Sequence, residues 1–295
     1  MKYKVTVVGG ITTDITGFPS RALLLRDSNP GRVKISEGGV GRNIAENLVR
    51  MGFETELICA MGCDAYADAH LSHAEALGLS LKNAVRVEGG RSGVYLCLCD
   101  ESGDMFAALN DMDDIFAALA PERVNMEAVN AGDLCVIDAN LPEETLAFIA
   151  KNARVPVVAD PVSAAKAARL IEALPYLSVI KPNLLEARAL TGKSTPDEAA
   201  DALLDAGVKR VFLSLGTQGV FYADANARGT ARVETVKAVN ATGAGDAATA
   251  AICAGYLMQL SMEECARLAA RLGALTVQSE SAVSPSLTRE FLTLL

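Results

Sequence analysis

Apolar residues follow two patterns along this chain. "KVTVVGG", "TELICAMG", "DLCVIDA", "VPVVADP", "LSVIKPN" and "KRVFLSLG" are short, continuously apolar runs that end in Gly, Asp, Asn or Pro. Such runs predict strands buried on both faces. Between them lie Ala- and Leu-rich stretches with helical spacing. In "NIAENLVRMG" the residues Ile44, Leu48 and Met51 share one face, and Gly52 is placed as a C-cap. Alternating strand and helix predicts an α/β fold of three layers, with a mostly parallel central sheet. No repeat or low-complexity linker interrupts it, so residues 1–295 read as a single domain.

Two segments break the rhythm: "TTDITGFPSRALLLRDSNPGRVKISE" (12–37) and "AVRVEGGRSGVYLCLCDESGDMFAALND" (84–111). The second predicts strands around Gly89-Gly90 and a turn at Glu101-Ser102-Gly103. Both fall at strand ends, where open α/β sheets bind ligands. They are expected to form a small β-rich lid.

Composition narrows the function. The net charge is −9, and no Lys/Arg cluster builds the basic face that nucleic acid requires. Mean hydropathy is positive, at +0.25, yet no run reaches the about 18 apolar residues of a spanning helix. "MKYKVTVVGG" is too short in its apolar part for a signal peptide and reads as a first strand. Seven cysteines, several inside apolar runs, suit reduced buried thiols in a cytoplasmic protein. Cys59, Cys63, His70 and His73 lie close together, but the gaps of six and two residues do not match a two-Cys, two-His zinc site. A core cysteine and a surface helix carrying two histidines are expected instead.

Three stretches carry chemistry. In "VNATGAGD" (239–246) the side chains nearly vanish before an acid. The following "AATAAICAGYLMQL" reads as a buried helix. The backbone N–H groups of Gly243, Ala244 and Gly245 would then form an anion-binding nest at its N-terminus. Asp246 in the first turn is either an ordinary N-terminal helix acid or a base for a hydroxyl that attacks a phosphate held there. In "EGGVGRNIAENLVRMG" (37–52), Gly38, Gly39 and Gly41 bring backbone close to something, and Asn43 begins a helix. Its amide suits a sugar diol, although an Asn N-cap explains it equally. In "KPNLLEARALTG" (181–192), Asn183 and Glu186 share a helix face. Glu186 could hold a water of Mg²⁺, or the pair could be a capping box. "TGKS" (191–194) is not a Walker A loop, because position 187 is Ala where that loop needs Gly. "VVGGITTD" lacks the dinucleotide-binding spacing.

Taken in order, these segments resemble the ribokinase (PfkB) family of carbohydrate and nucleoside kinases over nearly the whole chain. "GGVGRNIAENLVRMG" resembles the family's N-terminal signature and "NATGAGD" its C-terminal one. The latter commonly begins Asp-Thr-Thr; here Asn240 and Ala241 precede Thr242. "KPNLLEA" and "SLGTQGVFY" resemble its Asn-x-x-Glu element and its nucleotide-side strand and turn. The resemblance implies Asp246 as general base, with Gly243, Ala244 and Gly245 as anion hole. It implies Thr12, Asp14, Gly39 and Asn43 around the sugar hydroxyls. Asn183 and Glu186 would organise Mg²⁺, the latter through water. Ser214, Gly216, Gly219 and Ser279 would lie along ATP, with 277–286 passing the adenine and a monovalent cation such as K⁺. "DSNPGRVKISEGGVGRNIAEN" and "LNDMD" are similar to the family's pseudouridine-phosphorylating members, which implies the 5′-hydroxyl of that nucleoside as acceptor. Ser28, Asn29 and Asn110 are the lid's polar candidates for the base. Related kinases pair lids, which implies a homodimer. The rivals are a kinase of another nucleoside or a free sugar, a non-catalytic nucleoside sensor and a dinucleotide oxidoreductase. The intact Gly-Ala-Gly-Asp counts against the sensor, and the missing fingerprint against the oxidoreductase.

Overall fold

The six apolar runs lie side by side in one sheet. The computed structural model describes residues 3–232 and 236–294. The strands β1 (Lys4–Val8), β4 (Glu54–Ile58), β9 (Leu134–Asp138), β10 (Val157–Asp160), β11 (Val179–Ile180) and β12 (Arg210–Ser214) are parallel. A hairpin of β13 (Val220–Ala223) and β14 (Arg228–Ala231) adds two antiparallel strands, giving the order β14-β13-β12-β11-β10-β9-β1-β4. The runs are continuously apolar because each face has its own core. Along β9, Leu134 and Val136 enter one core while Cys135 and Ile137 enter the other. Each fully buried aliphatic side chain of this kind contributes about 1.5–3 kcal/mol.

The helix Val40–Arg50 buries Ile44 and Leu48, with Met51 just past its end, in the first of these cores. It begins earlier than the sequence suggested. Gly39 is the N-cap, at φ 95°, so Asn43 sits inside the first turn and caps nothing. The neighbours that demanded glycine are now visible. A Cβ on Gly9 would lie 2.3 Å from Asp138 Oδ2 and 3.1 Å from Gly41 Cα. The end of β1 and the start of the helix therefore touch backbone to backbone, and Arg42 N–H donates to Gly10 C=O at 3.1 Å.

A second sheet stands apart from the first. It holds β2 (Thr12–Pro19), β3 (Gly31–Gly38), β7 (Val94–Cys99) and β8 (Met105–Asp111) in the order β3-β2-β7-β8. Asp100 and Gly103 close the hairpin between its last two strands. Residues 84–92 do not join it. There β6 (Val85–Arg86) pairs with β5 (Ala60–Met61) in a separate ribbon. One face of the small sheet presents Asp14, Ser36, Tyr95 and Cys97 to a cavity of about 630 Å³, whose far wall includes Asn240 and Thr242. The opposite face exposes Val33 (67%), Ile35 (62%), Leu96, Leu98 and Leu109 (70%).

The cysteines divide by position. Cys59, Cys99, Cys135, Cys253 and Cys265 are buried, Cys63 is exposed, and Cys97 borders the cavity. Among the described residues no helix is long and apolar enough to cross a membrane.

The contact at Gly9 yields a stability prediction. Gly9→Ala forces a methyl against the buried Asp138 carboxylate and the neighbouring helix, and overpacking of this kind costs about 1–3 kcal/mol. Urea unfolding of the variant beside the parent measures it, and an unchanged midpoint would refute the contact.

Candidate active site

Asp246 lies in the first turn of the helix Ala244–Leu257, whose N-cap is Gly243. Gly243 has φ 82°, and a Cβ there would stand 2.0 Å from Ala282 C=O. Only glycine lets the turn pass beneath the segment around Ala282. Gly245 differs, because its Cβ would meet nothing closer than Lys181 Nζ at 3.5 Å. Of the first-turn N–H groups, that of Ala244 reaches back to Ala241 C=O only at 3.5 Å, and first-turn groups have no intrahelical carbonyl to bind. The arrangement is thus an open helix N-terminus with a buried lysine beside it.

Asp246 itself is buried, and its Oδ2 accepts a 2.7 Å hydrogen bond from Asn43 Nδ2. Asn43 Oδ1 is also buried and has no hydrogen-bond partner among the described residues. The amide is therefore oriented by the acid on one side and left with an open acceptor on the other, as a hydroxyl-bearing ligand needs. Burial pushes the Asp246 carboxyl up to about 7, and the neighbouring Asp160 adds to the shift. Asn43 and Lys181 oppose it, and Asp138 reinforces it. Asp138 is pushed up to about 6, also mainly by burial, against hydrogen bonds from the N–H groups of Gly10 and Asn140.

Lys181 balances this acidic group. Its Nζ lies 3.5 Å from Asp160 Oδ2, and both side chains are buried. Burial disfavours the ammonium, but Asp160, then Glu186 and Asp246, hold its pKa above the ordinary value. Thr249, one turn beyond Asp246, donates to Asp160 Oδ2 at 2.6 Å. The sequence reading passed over Lys181, Asp160 and Thr249. The available signal was a lysine and an aspartate closing apolar runs, since strand ends at a sheet's carboxyl edge face the ligand crevice.

Asn183 and Glu186 form the capping box. Asn183 accepts from Glu186 N–H, and the Glu186 carboxylate accepts from Asn183 N–H (2.8 Å) and Nδ2 (2.7 Å). Burial raises the Glu186 pKa, with Lys181 opposing. Each carboxylate oxygen takes one hydrogen bond from Asn183 and retains a lone pair. The pair therefore fits a hydrated divalent cation held through water. Asn183 bridges to Ser214 at the end of β12. Beyond it Gly216 turns at φ 60° with open space around it, whereas Gly219 is required because a Cβ would strike Ala231 C=O at 2.1 Å. Ser279 lies in the turn after the helix Met262–Val277, where its Oγ accepts from Ser281 N–H.

On the small sheet, Thr12 Oγ1 donates to Asp14 Oδ1 at 3.0 Å. Burial raises the Asp14 pKa, against that hydrogen bond. Ser36, Asp14, Tyr95 and Asn110 stand in register across four strands and so share the cavity-side face. Ser28 and Asn29 are elsewhere, in the exposed loop 24–29. Asn29 is engaged there with Leu24 N–H and with the carbonyls of Leu24 and Asp27.

The two histidines differ from the expected surface pair. His70 is buried, with Nδ1 on the Glu37 carboxylate and Nε2 3.3 Å from Thr13 Oγ1. His73 is partly exposed and approaches Glu46 at 3.4 Å. Cys59 belongs to the core.

The pfkB family carbohydrate kinase model matches residues 2–289. The pseudouridine kinase of Escherichia coli K12 is 34% identical, over 96% of this chain and 93% of its own. A carbohydrate kinase structure from Agrobacterium tumefaciens, 30% identical, superposes with a TM-score of 0.87 over 100% of this chain and 96% of its own. Arabidopsis thaliana ribokinase, complexed with ribose and ATP, shares the fold at 23% identity, with a TM-score of 0.84 over 100% of this chain and 99% of its own.

The raised Asp246 carboxyl makes a thermodynamic prediction. The folded chain keeps a proton there up to about pH 7, whereas an unfolded aspartate releases it near pH ~4. Its contribution to stability is therefore complete below pH ~4 and is lost as pH rises through about 7. Asp246→Asn should flatten that part of the profile and should be at least as stable as the parent at pH ~8. Thermal melts between these limits test it, and parallel profiles would overturn the assignment.

Proposed function

Because the chain belongs to the pfkB family of carbohydrate kinases, we propose that it phosphorylates the 5′-hydroxyl of pseudouridine with ATP and Mg²⁺. The observation that carries the reaction is Asp246, buried, oriented by Asn43 and seated at an open helix N-terminus. The choice of nucleoside draws support from the 34% identical Escherichia coli relative.

Asp14, held by Thr12, and the free acceptor of Asn43 bind the ribose hydroxyls. Asp246 takes the proton of the 5′-hydroxyl as that oxygen becomes a phosphate ester, and a carboxyl pushed up to about 7 is matched to base catalysis near neutrality. The N–H groups of Gly243, Ala244 and Gly245 stabilise charge on the transferring phosphoryl group. Lys181 adds a fixed positive charge beside them. ATP supplies the phosphoryl group, and Mg²⁺ neutralises charge on its phosphates. Glu186 and Asn183 would hold that ion through water, and Ser214, Gly216, Gly219 and Ser279 would line the nucleotide. The small sheet acts as a lid. Asn110 shares its inner face with Asp14 and Tyr95, which makes it our choice among the polar lid residues for the base edge. Pseudouridine carries a free N1–H that uridine lacks.

We also propose that the apolar outer face of the lid is covered by a second copy of the chain. Five large apolar side chains stand exposed on it, beside edge strands that proteins tend to cover.

Pseudouridine, uridine and ribose assayed side by side with ATP test the substrate. Pseudouridine should give the highest kcat/KM, and Asn110→Ala should narrow its lead over uridine by about two- to tenfold, the net worth of one hydrogen bond. Asp246→Asn should lower kcat by about 10²–10⁴. Turnover near the parent's would exclude the base, and a preference for ribose would replace the nucleoside reading.

Sedimentation at micromolar concentration should give a dimer, and Ile35→Glu should give a monomer. A monomeric parent would reject the lid pairing.

A further inference from the structure

His70 is left over from the chemistry above, yet it is buried with both ring nitrogens in use. Its helix, Ala65–Leu77, belongs to the main domain. Its two partners belong to the small sheet. Nδ1 meets the carboxylate of Glu37 on β3, and Nε2 meets the hydroxyl of Thr13 on β2 at 3.3 Å. Thr13 and Glu37 are a register pair. One imidazole thus spans both strands where they leave the main domain.

The same point is gripped from another side. Arg42, buried in the helix Val40–Arg50, donates to Glu37 C=O and Gly38 C=O, and its charge is met by Glu46. Glu37 is therefore bound through its carboxylate, its carbonyl and its strand pairing. Gly38, the next residue, presses on Asp14, and a Cβ there would lie 2.1 Å from Asp14 Oδ1. Wherever the backbone at 37–38 sits, the Asp14 carboxylate must follow.

We infer that His70 is a positioning residue for sugar binding. By fixing Thr13 and Glu37 against the main domain, it sets the place of Asp14 relative to Asn43 and Asp246. The inference rests on the reading of Asp14 as a ligand of the acceptor's hydroxyls. It accounts for a buried histidine between two lid strands, which would otherwise be costly to desolvate. Misplacing a binding group by about 1 Å can cost up to 10²-fold, so loss of the clamp should appear in acceptor binding.

The experiment compares steady-state kinetics of His70→Leu, His70→Gln and Asp14→Asn with pseudouridine as the varied acceptor. His70→Leu removes both bonds and should raise the KM for acceptor about tenfold, with kcat and the KM for ATP within about threefold. His70→Gln can still donate to Glu37 and should recover most of that loss. A merely structural histidine would lower the melting temperature and leave the KM for acceptor unchanged in both variants, which would overturn the inference. If His70→Leu does not fold, Thr13→Val removes one end of the clamp and should raise the same KM about threefold; an unchanged KM there overturns it equally. An unchanged KM in Asp14→Asn would remove the underlying reading of Asp14. A raised KM in Asp14→Asn without one in the His70 variants would reject His70 alone.

Discussion

Asn43 Nδ2 and Asp246 Oδ2 lie 2.7 Å apart and are separated by 203 residues of chain. A buried carboxyl is costly unless its hydrogen bonds are made. Asn43 makes one, and its own buried oxygen has no hydrogen-bond partner among the described residues. The bond ties the helix Val40–Arg50 to the helix Ala244–Leu257. It fixes where the Asp246 carboxylate stands and which way the Asn43 amide points. Much of the site is arranged to tolerate this buried acid: Lys181 offsets Asp160, Thr249 binds Asp160, and Gly10 and Asn140 satisfy Asp138.

Glycine has different duties within short stretches. Gly9 and Gly41 let a strand end and a helix start touch over Asp138. Gly243 and Gly219 let one chain segment cross another. Gly245 alone among these has room for a side chain, whose Cβ would just touch Lys181. Packing explains most of the glycines, and the ligand reading rests chiefly on Gly245.

The small sheet has two unlike faces because side chains alternate along a strand. Asp14, Ser36, Tyr95 and Asn110 fall on the face toward the cavity, while Ile35, Leu96 and Leu109 fall on the other. A shift of one residue in register would exchange the faces. The clamp at Thr13 and Glu37 therefore acts at a point where register and orientation are both decided.

The sequence by itself determined the layered α/β plan. Short apolar runs closed by Gly, Asp, Asn or Pro read as strands with a core on each side, and all six occupy the main sheet. It also marked a helix opening near Gly243–Asp246 and offered the capping box at Asn183–Glu186 as one of two readings, because these depend on residues a few positions apart. It misplaced the start of the helix at Val40–Arg50, since a turn closed by Gly39 against Gly10 depends on a distant backbone. It took Ser28, Asn29 and Asn110 as equals, because polarity is visible in sequence and orientation is not. Only the tertiary structure decided that Asn29 serves its own loop while Asn110 shares a sheet face with Asp14, with Tyr95 between them. It alone joined Asn43 to Asp246, put Lys181 beside the helix start at Gly245 and buried His70 against two strands of the small sheet. Each of those contacts joins residues tens to hundreds of positions apart, and local pattern says nothing about which distant groups must share one buried, low-dielectric space.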